Sequence, residues 1–566
     1  MSTRFLSRLS LSGLVFLLAF CVGCGVPDAD GPADTFGLDF SLPPGSDTNS
    51  TVVFLVDGLN AEIFDQMLQA GELPAIRKYF LDRGLYCPRT VVNTPSVTLA
   101  NETSVVTGVF PGHHGVTGIN WFDRNRLIWR NYETIAQKNT LDCDYIRPTI
   151  YERLQDRTTI SVFYQAHRGA TKFIENWTSA GPPFFFGWYE FVDRLTLSRF
   201  DLVMEIARRR REMPAFTMVY QLTPDFRAYA KGIESPEYRQ ALRETDYQLG
   251  RVLSDMERAG LLDKIHIALM SDHGMIEVTR HIPMTERLKG LELALADKRL
   301  WERDGPFEER QEYYQQFNCV QYGSGYRYLA LQFRKPVSTD PLRYADWTHR
   351  PTAEQLAAYP TGNWPGRHKP WYRCDQPDRP LKRLNLLKLF AEWDEIDAIA
   401  YAVGENRVRV RRASGEVEFR QDGGRGEPIG YRVVSGEDPL GWSASLPAAV
   451  QAGKRALGER EWLAATAGTD YPDLPAQIVA YFRAARAGDI VLFAAPGWDF
   501  SDNLRAGHGG LRPAEAFTPM LLAGPGVPHK QIDVARTVDL APTLLHLLGR
   551  DAPDEFDGKP LLPRRE

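Results

Sequence analysis

Beyond its first 24 residues this chain has no apolar run approaching the 18 residues that a membrane-crossing helix needs, which argues against a polytopic membrane protein. It has no basic excess either. Lys and Arg number 67 against 72 Asp and Glu, for a net charge of −5, so the electrostatic footprint of a nucleic-acid binder is missing and no nucleic-acid partner is expected. Cysteine is scarce, with six in 566 residues, and no CxxC or CxxH spacing follows residue 24. Nothing in the cysteine spacing therefore reads as a zinc-finger-type metal site. No internal repeat occurs, which removes the solenoids. What remains is a length suited to two to four domains, or to one large α/β domain carrying an insertion.

The first 24 residues have a character of their own. Arg4 and Arg8 precede the apolar stretch "LSGLVFLLAF", and the segment ends in "CVGC" at Cys24, the form of a secretory signal. Gly23 followed by Cys24 resembles a bacterial lipobox, which implies a lipidated Cys24, export to the cell envelope (periplasm or outer membrane) and a membrane anchor. Ordinary signal cleavage nearby and an uncleaved anchor are the alternatives. Residues 25–50 are rich in Gly, Pro, Asp and Ser and read as a flexible tether. Cys87, Cys143, Cys319 and Cys374 then remain, an even number that would allow two disulfides in an oxidising compartment.

Short apolar, β-prone runs at 51–56, 216–222 and 265–270 alternate with helical patterns at 61–83 and across "YRQALRETDYQLGRVLSDMERAG", where Gly260 suits a C-cap. Strand, helix and strand with short connections predict a parallel sheet covered on both faces. From 286 to 485 charged, aromatic and Pro/Trp-rich clusters interrupt the pattern, and 408–420 reads as a β-hairpin. The expected organisation is signal 1–24, tether 25–50, catalytic core 51–285, an inserted cap 286–485, and a return to the core over 486–566, beginning with the apolar run 489–495.

Six short stretches carry chemistry: "VFLVDG" to Gly58, "TPSVTLANETSVVTG" to Gly108, "QLTPD" to Asp225, "ALMSDHG" to Gly274, "AGHGG" to Gly510 and "DLAPTLLHLLG" to Gly549. Five of them offer Asp57, Thr98, Asp225, Asp272, His273 and His508, the oxygen and imidazole donors that bind zinc or a similar divalent ion. Asp57 follows five apolar residues, and Asp272–His273 closes another apolar run, so strand ends of an open α/β sheet would present them together. Adjacent Asp272 and His273 reach one metal only if the backbone turns, which Gly274 permits. Thr98 precedes a helical segment, whose N-terminal N–H groups favour an anion. Without these neighbours it would read as a helix cap. The sixth stretch has the leucine spacing of a packed helix, with His546 a core histidine, and His113 and His114 read as structural turn residues.

Taken together the stretches resemble the alkaline phosphatase superfamily, closest to its type I phosphodiesterase/nucleotide pyrophosphatase branch. The resemblance implies an alkaline-phosphatase-like α/β fold, two divalent metal ions, zinc foremost, and hydrolysis of a small phosphodiester or phosphomonoester through a phospho-Thr98 intermediate. It places Asp57, Thr98, Asp272 and His273 around one metal and Asp225 and His508 at the other. Asn120 and Arg168 occupy positions resembling the family's phosphate-binding Asn, displaced by one residue, and the phosphate-clamping Arg of some monoester-specific members. One departure concerns the second metal: "DFRAY" puts Tyr229 where the pattern has histidine. That site then weakens, uses Tyr229 or water, recruits a histidine such as His281, or is vestigial. A Thr in place of a formylglycine-forming Cys or Ser argues against a sulfatase. The rival readings are a phosphotransferase or phospholipase C-like enzyme acting on envelope head groups, and a catalytically impaired protein that binds a phosphorylated ligand.

Overall fold

The computed structural model describes residues 49–133, 140–175, 177–210, 213–296, 306–337, 340–362 and 382–563. The leader 1–24 with Cys24, nearly all of the tether, and Cys374 lie outside the described residues. No helix among the described residues is long and apolar enough to cross a membrane.

Ser50–Val56 forms the centre of a nine-stranded sheet because all seven of its residues are buried, as a parallel strand covered on both faces must be. It pairs in parallel with Phe216–Gln221 on one side and Ile265–Met270 on the other. Beyond Phe216–Gln221 lie Thr159–Val162 and Lys172–Ile174, also parallel. Phe517–Ala523 runs antiparallel between Ile265–Met270 and Gly84–Val91. The period-two alternation of Ser50–Val56 sends Val53 and Leu55 into one core and Val52, Phe54 and Val56 into the other. The Thr98–Thr107 helix lies over the first face, while Pro236–Arg258 and Tyr189–Arg210 pack on the second. Ser235 caps Pro236–Arg258 by accepting from the Tyr238 N–H, and Gly260, at φ +65°, ends it. The stretch 61–83 divides into Ala61–Gln69 and Pro74–Tyr79, separated by Gly71 at φ +76°.

A second, antiparallel sheet of seven strands spans Cys319–Ser324 to Ile490–Ala494 and contains the hairpin Arg407–Arg412/Gly415–Arg420. Here the expected organisation needs adjusting. Ile490–Ala494, expected to rejoin the first sheet, instead pairs with Tyr328–Phe333 and Ile396–Gly404 in the second. A fully buried "IVLFA" run satisfies either sheet, and periodicity does not distinguish them. One apolar cluster runs from Val53 and Leu55 through Val105 and Phe110 to Val410, Phe419 and Trp462, so the insertion shares a core with the first sheet.

The cysteine expectation is corrected. Cys87, Cys143 and Cys319 are all free thiols, the first and last buried. Burial pushes the Cys87 thiol up to about 11, which keeps it protonated and unreactive.

Candidate metal centre

Three neighbouring parallel strands deliver the acidic groups at their carboxyl ends, where open α/β sheets place ligands. Asp57 directly follows Ser50–Val56, Asp272 lies two residues beyond Ile265–Met270, and Asp225 sits in the first turn of the helix Thr223–Lys231. Gly58 makes their approach possible. It adopts φ +72°, and a Cβ there would stand 2.7 Å from the Asp225 Cα. Thr98 is the first residue of its helix. His508 comes from a loop that returns along the Ile276–His281 strand, with Gly507 and Gly509 on either side.

These residues converge. Thr98 Oγ1 lies 3.1 Å from His273 Nε2, which is also 3.2 Å from Asp57 Oδ1 and 3.2 Å from Asp272 Oδ2. The His273 and His508 rings stack with centroids 3.4 Å apart. Asp57, Asp272 and His273 form one set of donor atoms within 4.8 Å of one another, and Asp225, His273 and His508 form a second. All five are buried.

The tautomers follow from their partners. His273 Nδ1 faces the Gly274 carbonyl at 3.1 Å, and His508 Nδ1 faces the Ser96 carbonyl at 2.6 Å. A carbonyl only accepts, so each Nδ1 carries the proton and each Nε2 presents a lone pair to the site. Burial holds His273 down at about 3 and His508 well below its ordinary value, so both rings are neutral. Asp57 Oδ1, Asp225 Oδ1 and Asp272 Oδ2 are buried without a hydrogen-bond donor. Lone pairs thus face lone pairs at 3.2 Å, an arrangement that a cation between them compensates. The two donor sets, Asp57, Asp272 and His273 in one and Asp225, His273 and His508 in the other, each offer groups of the kind that hold a divalent metal ion such as zinc.

The electrostatics agree. Burial, then Asp272, then Asp225 push the Asp57 carboxyl well above its ordinary range, and burial followed by Asp272 does the same to Asp225. Asp272 itself is raised chiefly by burial. Chelated protein therefore binds protons that the unfolded chain, titrating near 4, has shed. Its folded state is expected to be most favoured by these groups below about pH 4 and to lose that contribution as pH rises through their raised values. Metal uptake should accordingly release protons and raise the melting temperature more at pH 8 than at pH 6; a metal-induced shift independent of pH would contradict the assignment.

Several positioning groups escaped the sequence. Tyr220 donates to Asp57 Oδ2 and leaves Oδ1 to the site. Ser96 holds the His508 loop twice, through its carbonyl and through Oγ, which accepts the Gly509 N–H at 3.0 Å. The inserted region contributes as well. Tyr326 bridges His508, and a Cβ on Gly325 would meet the His508 ring at 2.6 Å. Arg327 clamps Glu515, which accepts the Gly510 N–H at 2.9 Å. "GSGYR" at 323–327, with two glycines beside an arginine, was the available signal.

Asn120 is tied to the 323–327 segment: its Oδ1 accepts the Gly323 N–H at 2.9 Å and its backbone N–H donates to Ser324 Oγ, which leaves the side-chain NH₂ as its remaining donor. Arg168 departs from expectation. Its five N–H donors are committed to both Glu152 oxygens and to the carbonyls of Asp142, Tyr145 and Arg147, so no phosphate clamp forms. His281 is held by Asp499 at 2.7 Å and joins neither donor set, so it does not replace the missing histidine. His113 pairs with Asp557 and His114 with Ser104, both structural roles.

The model of the type I phosphodiesterase/nucleotide pyrophosphatase family matches residues 51–364, more than half of the chain. The chain belongs to this family. It is thereby a member of the alkaline phosphatase superfamily, and the sheet described above is its α/β fold. Among curated relatives, an uncharacterized pyrophosphatase/phosphodiesterase of Schizosaccharomyces pombe is 24% identical over 42% of this chain and 48% of its own length. Human ectonucleotide pyrophosphatase/phosphodiesterase family member 1 is 24% identical over 41% of this chain and 24% of its own length. The matched region thus spans half or less of these curated relatives. Among solved structures, human ectonucleotide pyrophosphatase/phosphodiesterase 5 superposes with a TM-score of 0.52 at 14% identity, covering 90% of this chain and 97% of that one. A murine counterpart, a threonine-to-alanine variant described as inactive and in complex with AMP, gives 0.50 at 14% identity, covering 91% and 97%.

Within this family member the Arg168 geometry carries a prediction. Arg168→Ala should destabilise the protein by about 1–3 kcal/mol, because buried carbonyls lose their donors. Inhibition by inorganic phosphate should stay within twofold. Weakened phosphate inhibition at an unchanged melting temperature would reinstate the clamp.

Proposed function

We propose that this protein is a metal-dependent phosphoric ester hydrolase, with Thr98 as nucleophile and a phosphodiester or nucleotide-type ester as substrate. The observation that carries the reading is Thr98 Oγ1 at 3.1 Å from His273 Nε2, beside three buried carboxylate oxygens that lack donors. Divalent cations, zinc by the donor set, supply positive charge that lowers the pKa of the Thr98 hydroxyl and offsets the charge on the phosphoryl oxygens. Thr98 Oγ1 gives its proton to solvent and forms a bond to phosphorus as the P–O bond to the leaving group breaks, and the departing oxygen takes a proton from water. Water then attacks phosphorus, the P–Oγ1 bond breaks, and a proton from that water passes to Oγ1, which regenerates Thr98. The N-terminal N–H groups of the Thr98 helix are suited to the non-bridging oxygens, and the Asn120 NH₂ is the further donor that the family resemblance suggests.

Diesters are favoured over monoesters. The monoester reading leaned on Arg168, whose donors are committed elsewhere. The neighbour in complex with AMP makes nucleotide esters the first class to test. The experiment is hydrolysis of bis-p-nitrophenyl phosphate and p-nitrophenyl phosphate before and after chelation. Diester turnover that disappears with the metal and returns with zinc supports the proposal. Turnover indifferent to chelation would remove the metal from the chemistry, and no turnover of either ester with metal bound would favour the phosphate-ligand binding protein. Localisation belongs to the same proposal: an exported protein anchored through a lipid on Cys24 should lose incorporated lipid label in Cys24→Ser, and label retained by that variant would refute the anchor.

A further inference from the structure

Nine large apolar side chains stand well exposed among the described residues, and four of them fall within seven consecutive positions. Phe185 is 70% exposed, Phe186 55%, Trp188 59% and Phe191 48%. They crown the turn between the helices Trp177–Phe185 and Tyr189–Arg210, where Gly187 adopts φ +75°. A Cβ on Gly187 would find the Tyr189 ring as its nearest neighbour, at 3.9 Å, so no other segment packs on the turn there. The backbone of the turn is already satisfied: the N–H groups of Phe186, Gly187 and Trp188 donate to the carbonyls of Pro182, Phe184 and Pro183 at 3.1, 3.0 and 2.9 Å. On its inner side Phe184 and Tyr189 pack against Phe226, with centroids 5.1 and 4.6 Å apart. Phe226 follows Asp225 and meets Tyr229, whose hydroxyl donates to His508 Nε2. The exposed aromatic tip is thereby rooted beside the metal centre.

We propose that this tip is a membrane-docking surface. Phe185, Phe186 and Trp188 enter the interfacial layer of a phospholipid bilayer and bring the neighbouring metal centre to the lipid surface. Three features select a bilayer over a second protein. The first is area. With about 150–250 Å² for a whole aromatic side chain, the exposed parts of the four come to roughly 450 Å², whereas a stable dimer takes about 800 Å² from each copy. The second is composition, since Trp and Phe without Lys, Asp or Asn among them are the residues of interfacial segments. The third is charge. Glu190 is neutralised by Arg227 at 2.7 and 2.6 Å, and Asp193 is buried and accepts the Leu222 and Thr223 N–H groups. The next charge along the helix is Arg194, which is exposed and lies one turn on, a cation placed for lipid phosphates.

Trp188 is the one exposed tryptophan among the described residues, so its emission reads the contact. The test mixes the full chain with vesicles of phosphatidylethanolamine and phosphatidylglycerol whose acyl chains carry bromine, a quencher of tryptophans that reach the hydrocarbon edge. Residues 1–50 contain no tryptophan, so attachment through the N-terminus adds no quenching of its own. Wild type should lose at least three times as much emission as Trp188→Phe. The pair Phe185→Ser with Phe186→Ser keeps Trp188 and should lose the quenching too, with an unchanged melting temperature and soluble diester turnover within twofold. No quenching of wild type, or equal quenching in Trp188→Phe, would overturn the proposal. So would a wild-type dimer that the double variant dissociates without any quenching, which assigns the tip to a second copy. The hydrolase reading fails separately, as absent diester turnover in protein that still docks.

Discussion

Thr98→Ala is expected to lower diester turnover by on the order of a thousandfold or more, since removing a nucleophile leaves only binding and electrostatic contributions. The hydroxyl has no other role in the fold that would explain such a loss. Helix Thr98–Thr107 is capped without a side-chain bond from Val97, and its buried residues begin at Leu99. Alanine is a better helix former than threonine, so stability should hold or rise slightly. Metal content should fall at the Asp57 site only modestly, because two carboxylates and His273 remain. Thr98→Ser keeps an oxygen at the same position and should retain a substantial fraction of the rate. Full turnover in the alanine variant would remove Thr98 from the chemistry and leave water as the direct nucleophile.

The second large effect concerns the inserted region. Arg327 is fully buried, donates to both oxygens of Glu515 and reaches the carbonyls of Ala494, Ala495 and Trp498. Arg327→Ala leaves Glu515 as an unpaired buried charge, a change that costs about 3–5 kcal/mol. Glu515 also accepts the Gly510 N–H, and Tyr326 bridges His508, so the loop carrying His508 should loosen with it. The expected outcome is a melting temperature lowered by many degrees, together with preferential loss of the metal at the Asp225 and His508 site. Replacing both members, Arg327→Met with Glu515→Leu, should recover much of the stability, because a buried pair exchanged for apolar groups leaves no uncompensated charge. A single variant as stable as wild type would refute the role given to this clamp.

The parts of the site that the sequence discloses are those set by short-range rules. Asp57 and Asp272 end apolar runs, and a run ending in a carboxylate and a glycine is a local pattern. Thr98 opens a helix, and His508 sits among glycines that let backbone approach the ring. Contacts made across the fold leave no such trace. Segment 323–327 reaches His508 from a sheet far along the chain, and nothing around "GSGYR" names that partner. Arg168 is a clear motif residue whose guanidinium is drawn to Glu152 sixteen positions earlier, a pairing that only the folded turn creates. Cysteine parity fails for the same reason: an even count sets no distances, and the three described thiols remain separate. Strand Ile490–Ala494 shows the limit for the fold, since its burial was legible and its choice of sheet was not.

The most direct test of the nucleophile is to trap it. Full-chain enzyme with its metals, mixed with bis-p-nitrophenyl phosphate and quenched in acid within the first turnover, should yield a peptide containing Thr98 that has gained one p-nitrophenyl phosphoryl group. Fragmentation should place that group on Thr98 Oγ1, and Thr98→Ala should give none. A burst of p-nitrophenol with no adduct on Thr98, or an adduct on another residue, would contradict the mechanism.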